Sequence, residues 1–288
     1  MRIAHAPVQL ERRPRAVAIG TFDGVHRGHL SVLRTTVDSG LDPTVITLEP
    51  HPRIALGNRV ELIATLERRL ELLAEAGVAE TLVASFTPEF MRLPPEQFVE
   101  TYLTAIGAEA IAVGADFRFG HKRAGTVQTL VDAGLRVLDV EEVADVSSTA
   151  IRDAVRAGEL AVAAAMLGRP YELDGVVVAG DQRGGTLGYP TANIAMGPDL
   201  LCPRFGIYAG AALEHRAAVS IGTNPHYGGT ERRIEPYLLD FDGDLYGKRL
   251  VVELWERLRD EEVFESEEAL VEQIARDVEA TRAAQRPT

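Results

Sequence analysis

The hydrophobic and polar positions up to about residue 165 follow two alternating patterns. Short continuous apolar runs, which are typical of buried parallel strands, are separated by amphipathic stretches with a helical repeat. After an edge strand within residues 1–15, the predicted strands are Ala16–Ile19, Thr44–Leu48, Thr81–Phe86, Ala110–Gly114 and Leu135–Val140. The predicted helices between them are about Arg27–Ser39, Glu61–Ala76 and Pro95–Ile106. This alternation predicts an α/β domain with a doubly wound parallel sheet.

The pattern changes near residues 165–175, where the long helical repeats stop. Short β-rich runs separated by glycine and proline follow, which are Tyr171–Ala179, Ile207–Leu213, Ala217–Ile221, Ile234–Phe241 and Leu250–Leu258. A last amphipathic helix is predicted over about Ser266–Ala283. These runs predict a small β-barrel or sandwich with a C-terminal helix. We therefore expect two domains, residues 1–165 and 166–288.

Composition narrows the class of protein. The 288 residues are 46% hydrophobic and 25% charged, which is typical of globular domains. No apolar run approaches the length of a membrane span, and the N-terminus lacks the apolar core of a signal peptide. Cys202 is the single cysteine, which excludes an internal disulfide and fits a reducing compartment. We expect a cytoplasmic protein.

The net charge of −13 is distributed over both halves of the chain. Such a charge argues against broad electrostatic binding to nucleic acid, although it leaves room for a local basic pocket. We expect small-molecule substrates, no nucleic-acid or membrane partner, and a monomer or transient homo-oligomer.

The segment Gly20–His29 joins the first predicted strand to the first predicted helix. A glycine-rich turn of this kind directs backbone N–H groups and the positive end of a helix at an anion. His26 and His29 are three residues apart, so they share a face of the first helical turn and can donate hydrogen bonds to phosphate. The alternative is a structural histidine pair without a ligand.

Three further polar segments follow predicted strand ends, where α/β sheets bind ligands. They are Glu49–Pro52 with His51, the basic and aromatic Gly114–Gly125, and Val146–Arg152 at a helix start. Ser147 or Ser148 is a suitable N-cap in the last of these. Taken singly, each segment is also compatible with a plain loop, a basic turn or a capped helix.

The second half has one glycine-rich loop, Gly180–Asn193. Its glycines allow backbone N–H groups to approach phosphate closely, although the loop is not a Walker sequence. Thr191 and Asn193 would lie on one side of an extended segment and present oxygen atoms to a metal ion. A plain glycine-rich turn is the alternative.

The string Thr21–His29 resembles the nucleotidyltransferase signature H-x-G-H. Its fuller form, T-F-D-G-V-H-x-G-H, resembles the bacterial bifunctional flavokinase/FMN adenylyltransferase family, also called FAD synthetase. Other segments that resemble this family are Glu49–Pro52 (E-P-H-P), Gly114–Gly120 (G-x-D-F-x-F-G), Ser147–Arg152 (S-S-T-x-I-R), Pro190–Asn193 (P-T-A-N), Pro203–Tyr208, Ile234–Gly247 and Leu258–Phe264. The resemblance covers about residues 15–280.

This resemblance implies a Rossmann-like nucleotidyltransferase domain followed by a small Greek-key, flavokinase-like β-barrel. It implies that the second domain phosphorylates riboflavin to FMN with ATP. The first domain would transfer AMP from ATP to FMN, which gives FAD and pyrophosphate. ATP and Mg²⁺ are the implied cofactors, with riboflavin, FMN and FAD as substrates and products.

The resemblance also implies residue roles. For the adenylyl transfer, His26, His29 and Arg152 would be catalytic, and the residues at the ATP phosphates would be Gly20, Phe22, Asp23, Gly24, His26, His29, Ser148, Thr149 and Arg152. The residues near FMN would be His51, Asp116, Phe117 and Arg123. For the kinase, Glu235 would be the general base, and ATP or riboflavin would contact Gly180, Gly185, Gly188, Thr191, Asn193 and Arg259. Thr191 and Asn193 would hold the metal ion.

The sequence departs from the family at two places. His226 and Tyr227 stand where threonine and phenylalanine are usual, and Pro236 directly follows Glu235. Because proline lacks a backbone donor, we expect the strand to be an edge strand or bulged there. Two alternative functions stay open, namely an enzyme that retains one of the two activities, with the His226 change bearing on the kinase, and a non-catalytic flavin or nucleotide sensor.

Overall fold

The computed structural model describes residues 1–114, 116–180, 187–223 and 232–288. The chain forms two compact units, Met1–Val60 with Leu66–Val146, and Glu61–Thr65 with Ser147–Thr288. The change to the second unit at Ser147 comes earlier than the change of sequence pattern near residue 165. The reason is that apolar side chains of the intervening helices, including Ile151, Val155 and Leu160, belong to the core of the second unit.

The first unit is built on a parallel sheet whose strands are β1 Arg2–Ala4, β2 Arg15–Gly20, β3 Asp42–Glu49, β4 Glu80–Ser85, β5 Ala108–Ala112 and β6 Arg136–Leu138. Their order in the sheet is β1-β4-β3-β2-β5-β6. Strands β3 and β4 therefore follow on one side of β2, whereas β5 and β6 lie on the other side of β2. Ligands of open α/β sheets bind at such a switch point, outside the carboxyl ends of the strands.

The helices of the first unit are α1 Arg27–Val37, α2 Pro52–Ala55, α3 Leu66–Glu75, α4 Pro88–Met91, α5 Pro95–Phe98, which continues as the π-helical Val99–Thr104, and α6 Val127–Asp132. Alternate residues of β2 point to opposite faces. Ala18 packs with Leu33 and Leu73, whereas Val17 packs in a second cluster with Leu103. The sheet is thus covered on both faces, and the predicted doubly wound domain is confirmed.

The third helix is shorter than predicted. The periodic pattern indicates Glu61–Ala76, but the helix begins only at Leu66. Residues 61–65 belong to the second unit, where the Leu62 N–H donates to the Asp199 carbonyl oxygen at 2.6 Å. The apolar residues before Leu66 are therefore used by a different core from those that follow it.

An ion pair is buried at the amino ends of the strands in the first sheet. Arg15 is fully buried, and its Nε and Nη2 atoms lie 2.9 and 2.7 Å from Glu80 Oε2. Arg13 Nη2 lies 3.0 Å from the other carboxylate oxygen. A buried charge is tolerated when it is paired and its remaining hydrogen bonds are satisfied.

The second unit contains α7 Ser148–Ala157, α8 Leu160–Leu167 and six strands, which are β7 Tyr171–Val178, β8 Asn193–Ala195, β9 Gly206–Ala212, β10 His215–Gly222, β11 Arg233–Leu238 and β12 Arg249–Arg259. The antiparallel order is β11-β10-β9-β12-β7-β8. The two ends of the sheet meet where the Ala192 N–H donates to the Pro236 carbonyl oxygen at 2.9 Å. This near-barrel and the C-terminal helix Glu267–Ala283, which Ser266 caps, agree with the predicted fold.

Pro236 lies on β11, the terminal strand of the hydrogen-bonded order. The predicted edge position of this strand is therefore confirmed.

Within the described residues, no helix is long and apolar enough to cross a membrane.

We expect Glu80→Gln to lower the free energy of unfolding at pH 7 by about 3–5 kcal/mol, because Arg15 would keep a buried charge without its partner. Burial acts to raise the pKa of Glu80, but hydrogen bonds and charge from Arg15 and Arg13 outweigh it and leave that pKa below its ordinary value. The stabilisation is therefore present at neutral pH and is lost as the pH falls through the lowered pKa. Urea unfolding followed by circular dichroism measures the effect.

The exposed carboxylate Glu109 lies on β5 of the same sheet and provides the control. Glu109→Gln should change the unfolding free energy by less than about 0.5 kcal/mol. Equal effects of the two substitutions would contradict a special role for the Glu80 pair.

Candidate active sites

The two histidines of the glycine-rich turn lie against each other at the start of α1. His26 is the N-cap residue, and its Nδ1 accepts the backbone N–H of His29 at 3.3 Å. The two rings are stacked, with centroids 3.6 Å apart and planes inclined by 15°. Because Nδ1 of His26 is an acceptor, the ring proton of neutral His26 resides on Nε2. That nitrogen is then the hydrogen-bond donor of the ring.

The turn is compact because several of its residues adopt unusual backbone conformations. Gly24 has φ 81°, and Phe22 and Val25 have φ 49° and 40°, which non-glycine residues adopt rarely. A Cβ atom on Gly28 would lie 3.2 Å from the His26 ring, so the ring would have to shift by a few tenths of an ångström to admit one. Such strain persists where the surroundings fix the backbone, and it is concentrated at functional sites.

Phe22 and Asp23 are buried, with 2% and 1% of their surfaces exposed. The Phe22 ring packs edge-on against His29 at a centroid distance of 5.2 Å. A Cβ atom on Gly20 would meet this same ring at 3.3 Å. Phe22 therefore supports the imidazole of His29 from within the core of the first unit.

The pKa of His29 lies well below its ordinary value. Burial is the largest cause, and the neighbouring His26 and the positive charge of Arg69 lower it further. Among the described residues, no group bonds to the buried Nδ1 atom of His29. His29 is therefore neutral at pH 7 without a ligand. An arriving anion would raise the pKa, so anion binding would be accompanied by proton uptake.

The loops that carry the other predicted residues of this unit follow neighbouring strands. The histidine turn follows β2, His51 follows β3, and Asp116 and Phe117 follow β5. Since β3 and β5 are the two neighbours of β2, the three loops begin side by side at the carboxyl edge of the sheet. His51 caps α2, where its Nδ1 accepts the Arg53 N–H at 3.1 Å.

The residues after β5 differ in their exposure. Asp116 and Arg123 are exposed, whereas Phe117 is half-buried and stacks on Phe119 at a centroid distance of 5.7 Å. Phe117 thus packs partly into the apolar cluster of the first unit.

Arg69 on α3 was missed by the sequence analysis. It is 1% exposed, and its guanidinium donates to groups at the ends of both β2 and β3. A signal was present in the sequence, because Arg69 falls on the apolar face that Leu66 and Leu73 define. A charged residue in an apolar stripe is rarely buried without a specific partner.

Ser148, Thr149 and Arg152 belong to the second unit. The helix cap is Ser147, whose Oγ accepts the Ala150 N–H at 3.1 Å. Ser148 and Thr149 form the first turn of α7, and the buried Arg152 donates from Nε to the Glu61 carbonyl oxygen at 2.7 Å. Their assignment to the ATP phosphates stays a prediction from the sequence.

The second candidate site lies where the two ends of the near-barrel meet. A Cβ atom on Gly180 would approach Asn193 Nδ2 to 2.0 Å, so glycine is required for the Asn193 side chain to lie there. The hydrogen bond from Ala192 to Pro236 brings Thr191 and Asn193 alongside Glu235. Gly188 has φ 86°, and Gly185 lies outside the described residues, as do His226 and Tyr227.

Glu235 projects from β11 on the same face as Arg233 and Tyr237. Its side chain is 17% exposed, and Oε1 lies 3.8 Å from Arg233 Nη1. Tyr237 packs edge-on against Tyr189 of the glycine-rich loop at a centroid distance of 5.4 Å. A carboxylate, two hydroxyl-bearing rings and the Thr191–Asn193 segment therefore converge on one side of the unit.

Arg259 has a structural role in the second unit, because it forms an ion pair. Its Nε and Nη2 atoms lie 2.9 and 2.7 Å from the Asp277 carboxylate on the C-terminal helix, and its guanidinium lies over the Phe264 ring at 5.7 Å. This pair ties the C-terminal helix to β12. A contact of Arg259 with ATP or flavin stays a prediction.

Within the described residues, no group of three or more histidine, cysteine or acidic side chains could hold a metal ion. The Thr191 hydroxyl and the Asn193 carboxamide offer neutral oxygen atoms as metal ligands. The Asn193 side chain lies against Gly180, where a Cβ atom would collide with it. Mg²⁺ usually takes one or two protein ligands and completes its shell with water and substrate phosphates. The Thr191–Asn193 segment therefore suits a metal ion that arrives with a nucleotide.

We expect the free energy of unfolding to fall as the pH drops from about 7 to about 5, and His29→Gln to reduce this fall. Folding favours neutral His29, whereas the unfolded chain titrates near 6.5, so the unfolded state binds more protons below that pH. Urea unfolding at several pH values measures the slope. The exposed His5 supplies the control, since His5→Gln should keep the wild-type slope. A wild-type slope in His29→Gln would refute the expectation.

Two family models match the chain, and together they cover both units. The model described as FAD synthetase matches residues 8–153, which include the histidine turn, His51 and Asp116. The model described as riboflavin kinase matches residues 167–285, which include the Gly180–Asn193 loop and Glu235.

Relatives with the name bifunctional riboflavin kinase/FMN adenylyltransferase align over almost the whole chain. The protein from Listeria monocytogenes is 35% identical, and the alignment covers 93% of this chain and 92% of that protein. The protein from Bacillus subtilis is 33% identical, with coverage of 95% and 93%. The protein from Escherichia coli K12 is 35% identical, with coverage of 96% and 95%.

A solved structure shares the fold. It is a crystal structure described as a macrolide-efflux protein from Streptococcus pneumoniae, with a TM-score of 0.85 and 32% sequence identity. The match covers 97% of this chain and 98% of that chain. With two family models in the expected order and relatives that align over nearly its full length, the chain belongs to the bifunctional riboflavin kinase/FMN adenylyltransferase family.

Proposed function

We propose that this chain catalyses two successive transfers from ATP. Riboflavin receives the γ-phosphoryl group and becomes FMN, and FMN then receives AMP and becomes FAD, with release of pyrophosphate. The observation that carries the proposal is that each family model falls on the half of the chain that holds the corresponding cluster. The FAD synthetase model covers the stacked histidines, and the riboflavin kinase model covers the Gly180–Asn193–Glu235 cluster. In the sequence we propose a functional boundary at 165/166, between the two models, although the helix α7 before it and the helix α8 across it pack with the second unit.

The adenylyl transfer requires alignment and charge stabilisation but no protein nucleophile. An oxygen of the FMN phosphate attacks the α-phosphorus of ATP, the bond to the β-phosphate oxygen breaks, and pyrophosphate leaves. His26 would donate from Nε2 to a phosphate oxygen at the N-terminus of α1. His29 would accept a proton as the anion arrives and would then stabilise the charge that develops on the leaving pyrophosphate.

The remaining assignments for this reaction come from the family motifs. Gly20, Asp23 and Gly24 would shape the phosphate turn, while Phe22 would support His29. Ser148, Thr149 and Arg152 would serve the β- and γ-phosphates. The residues proposed to line the flavin side are His51, Asp116, Phe117 and Arg123.

In the kinase reaction, the Glu235 carboxylate would accept the proton of the riboflavin 5′-hydroxyl as its oxygen bonds to the γ-phosphorus, while the bond from the γ-phosphorus to the β,γ-bridging oxygen breaks and ADP leaves. Backbone N–H groups near Gly180, Gly185 and Gly188 would bind the phosphates, and Arg259 would act near the flavin from its pair with Asp277. We propose Mg²⁺ as the metal, with Thr191 and Asn193 as its ligands. When bound, the ion supplies neutralisation of phosphate charge.

The proposed partners are ATP, riboflavin and FMN, and the proposed state is a monomer or transient homo-oligomer. We place both reactions in the cytoplasm, where ATP is available and where the free, buried Cys202 fits the reducing conditions. The competing hypotheses are an enzyme with one retained activity and a non-catalytic sensor. Incubation of the purified protein with ATP, Mg²⁺ and either riboflavin or FMN separates them. An enzyme with only the kinase activity yields FMN alone, one with only the adenylyl transfer yields FAD from added FMN alone, and a sensor yields no product.

We expect Glu235→Gln to lower the rate of FMN formation from riboflavin by about 10²- to 10⁴-fold, since the amide cannot accept the hydroxyl proton. FAD formation from supplied FMN should be unchanged. Chromatography of the flavins measures both rates. The exposed hairpin carboxylate Glu214 is the matched control, and Glu214→Gln should keep both activities. Loss of both activities in folded Glu235→Gln would count against two separate sites.

We expect His29→Ala to have the opposite effect and to lower FAD formation from FMN by about 10²-fold or more, because one charge-stabilising donor is lost. Phosphorylation of riboflavin should continue at the wild-type rate, so FMN should accumulate in place of FAD. His5→Ala provides the control for loss of an exposed histidine. Unchanged FAD synthesis by His29→Ala would remove this residue from the mechanism.

A further inference from the structure

We propose that Arg69 is a positioning residue for the adenylyl transfer, because its guanidinium ties together the ends of the two strands that carry the histidine turn and the His51 turn. The inference rests on the proposed function of the first unit. It assigns Arg69 no contact with substrate.

The contacts of Arg69 join two neighbouring loops. Nη1 donates to the Thr21 carbonyl oxygen at 3.0 Å, directly after β2, and to the Leu48 carbonyl oxygen at 3.2 Å, near the end of β3. The same nitrogen lies 3.2 Å from Thr47 Oγ1, and Nη2 lies 2.8 Å from Glu49 Oε2. Thr47 Oγ1 also donates to the Thr21 carbonyl oxygen at 3.1 Å. The group therefore fixes the separation of the two strand ends.

These strand ends lead directly into the site. Thr21 begins the turn that holds His26 and His29, and Glu49 is followed by the turn that holds His51. Parallel strands leave carbonyl oxygens unpaired where the ladder stops, so a buried donor is needed there. A planar guanidinium serves several acceptors with donors in a fixed plane, whereas the donors of the lysine ammonium rotate on a flexible stem.

Arg69 also places a positive charge near the histidines. Its charge is one of the groups that lower the pKa of His29, together with His26 and after burial. Arg69 is 1% exposed, and no described residue bonds to its buried Nε atom. Arg69 is thus connected to the proposed chemistry both by backbone geometry and by charge.

Arg15 offers a structural comparison within the same sheet. It too is fully buried, pairs with a carboxylate and donates to backbone carbonyl oxygens, including that of Glu11 at 2.6 Å. However, Arg15 lies at the start of β2, whereas the contacts of Arg69 lie at its carboxyl end. Substitution of Arg15 should therefore reproduce the loss of a buried ion pair without disturbing the site.

The test compares Arg69→Lys, Arg69→Met and Arg15→Lys in the full chain. For each variant, kcat and KM are measured for FAD formation from FMN, and the rate of FMN formation from riboflavin serves as an internal reference. The pKa of His29 is measured in the nucleotide-free protein by NMR titration of the imidazole, with the signal assigned by its absence in His29→Gln. Thermal unfolding reports the stability of each variant.

We expect both Arg69 variants to lower kcat for FAD formation by about 10- to 100-fold, with smaller changes in KM, because reacting groups are misplaced rather than lost. FMN formation should keep its wild-type rate. Arg69→Met should raise the pKa of His29 towards its ordinary value, whereas Arg69→Lys should keep it low because the charge remains. Arg15→Lys should lower stability but leave kcat and the pKa of His29 unchanged.

Two results would overturn the inference. One is a similar loss of kcat in Arg15→Lys and Arg69→Lys at matched stability, which would indicate a general effect of weakening the sheet. The other is an unchanged kcat for FAD formation in Arg69→Met, whatever the pKa of His29. If instead the wild-type protein made no FAD, the proposed function would fail, and the His29 titration would still decide whether Arg69 acts on the histidine.

Discussion

The geometry of both candidate sites depends on one constraint, which is that backbone polar groups at the ends of strands and helices must find partners. At the end of β2 the Thr21 carbonyl oxygen is bonded by Arg69 and Thr47, and at the start of α1 the His29 N–H is bonded by His26. The side chains that satisfy these groups are fixed in position as a result. The proposed chemistry uses the side chains that these hydrogen bonds hold in place.

The second unit meets the same constraint with glycine and proline. Asn193 occupies the space over Gly180 that any side chain would fill, and the carbonyl oxygen of Pro236 accepts from Ala192 although its nitrogen cannot donate. The ends of the open sheet thereby come together without a continuous ladder. Thr191 lies in the loop that leads into β8, whereas Glu235 lies on β11 next to Pro236. The two residues proposed for the kinase reaction are therefore held near the point where the ends of the sheet meet.

Most of the fold could be predicted from the sequence because its strands are either fully apolar or separated by clear turn residues. The buried strands follow this rule, as Val17, Ala18 and Val45 show. The edge position of β11 was predictable for another reason, namely Pro236, which lacks a backbone donor. The start of α3 could not be predicted, since the apolar repeat continues through residues 61–65 although they belong to another core. The short helix α8 was missed because its residues, Leu160–Leu167, are apolar on nearly every face and give no helical stripe.

The candidate sites could be predicted from the sequence only in part, for a similar reason. The spacing of His26 and His29 indicates a shared face, but the stacking of the rings depends on the left-handed residues of the turn, which spacing alone does not encode. The role of Arg69 depends on which carbonyl oxygens the sheet leaves unpaired, and that follows from the strand order rather than from the local sequence.

The charges around the first candidate site explain why a neutral histidine suits it. The chain carries a net charge of −13, and Arg69 already supplies one buried positive charge, which is offset by Glu49. A second permanent cation beside it would be costly to bury in the absence of a ligand. A histidine whose pKa is lowered by burial is neutral without a ligand, and under the proposed function it would become charged when phosphate binds. In this arrangement anion binding would be coupled to the uptake of a proton from solution. The site would then be stable without a ligand and would still present positive charge to a bound nucleotide.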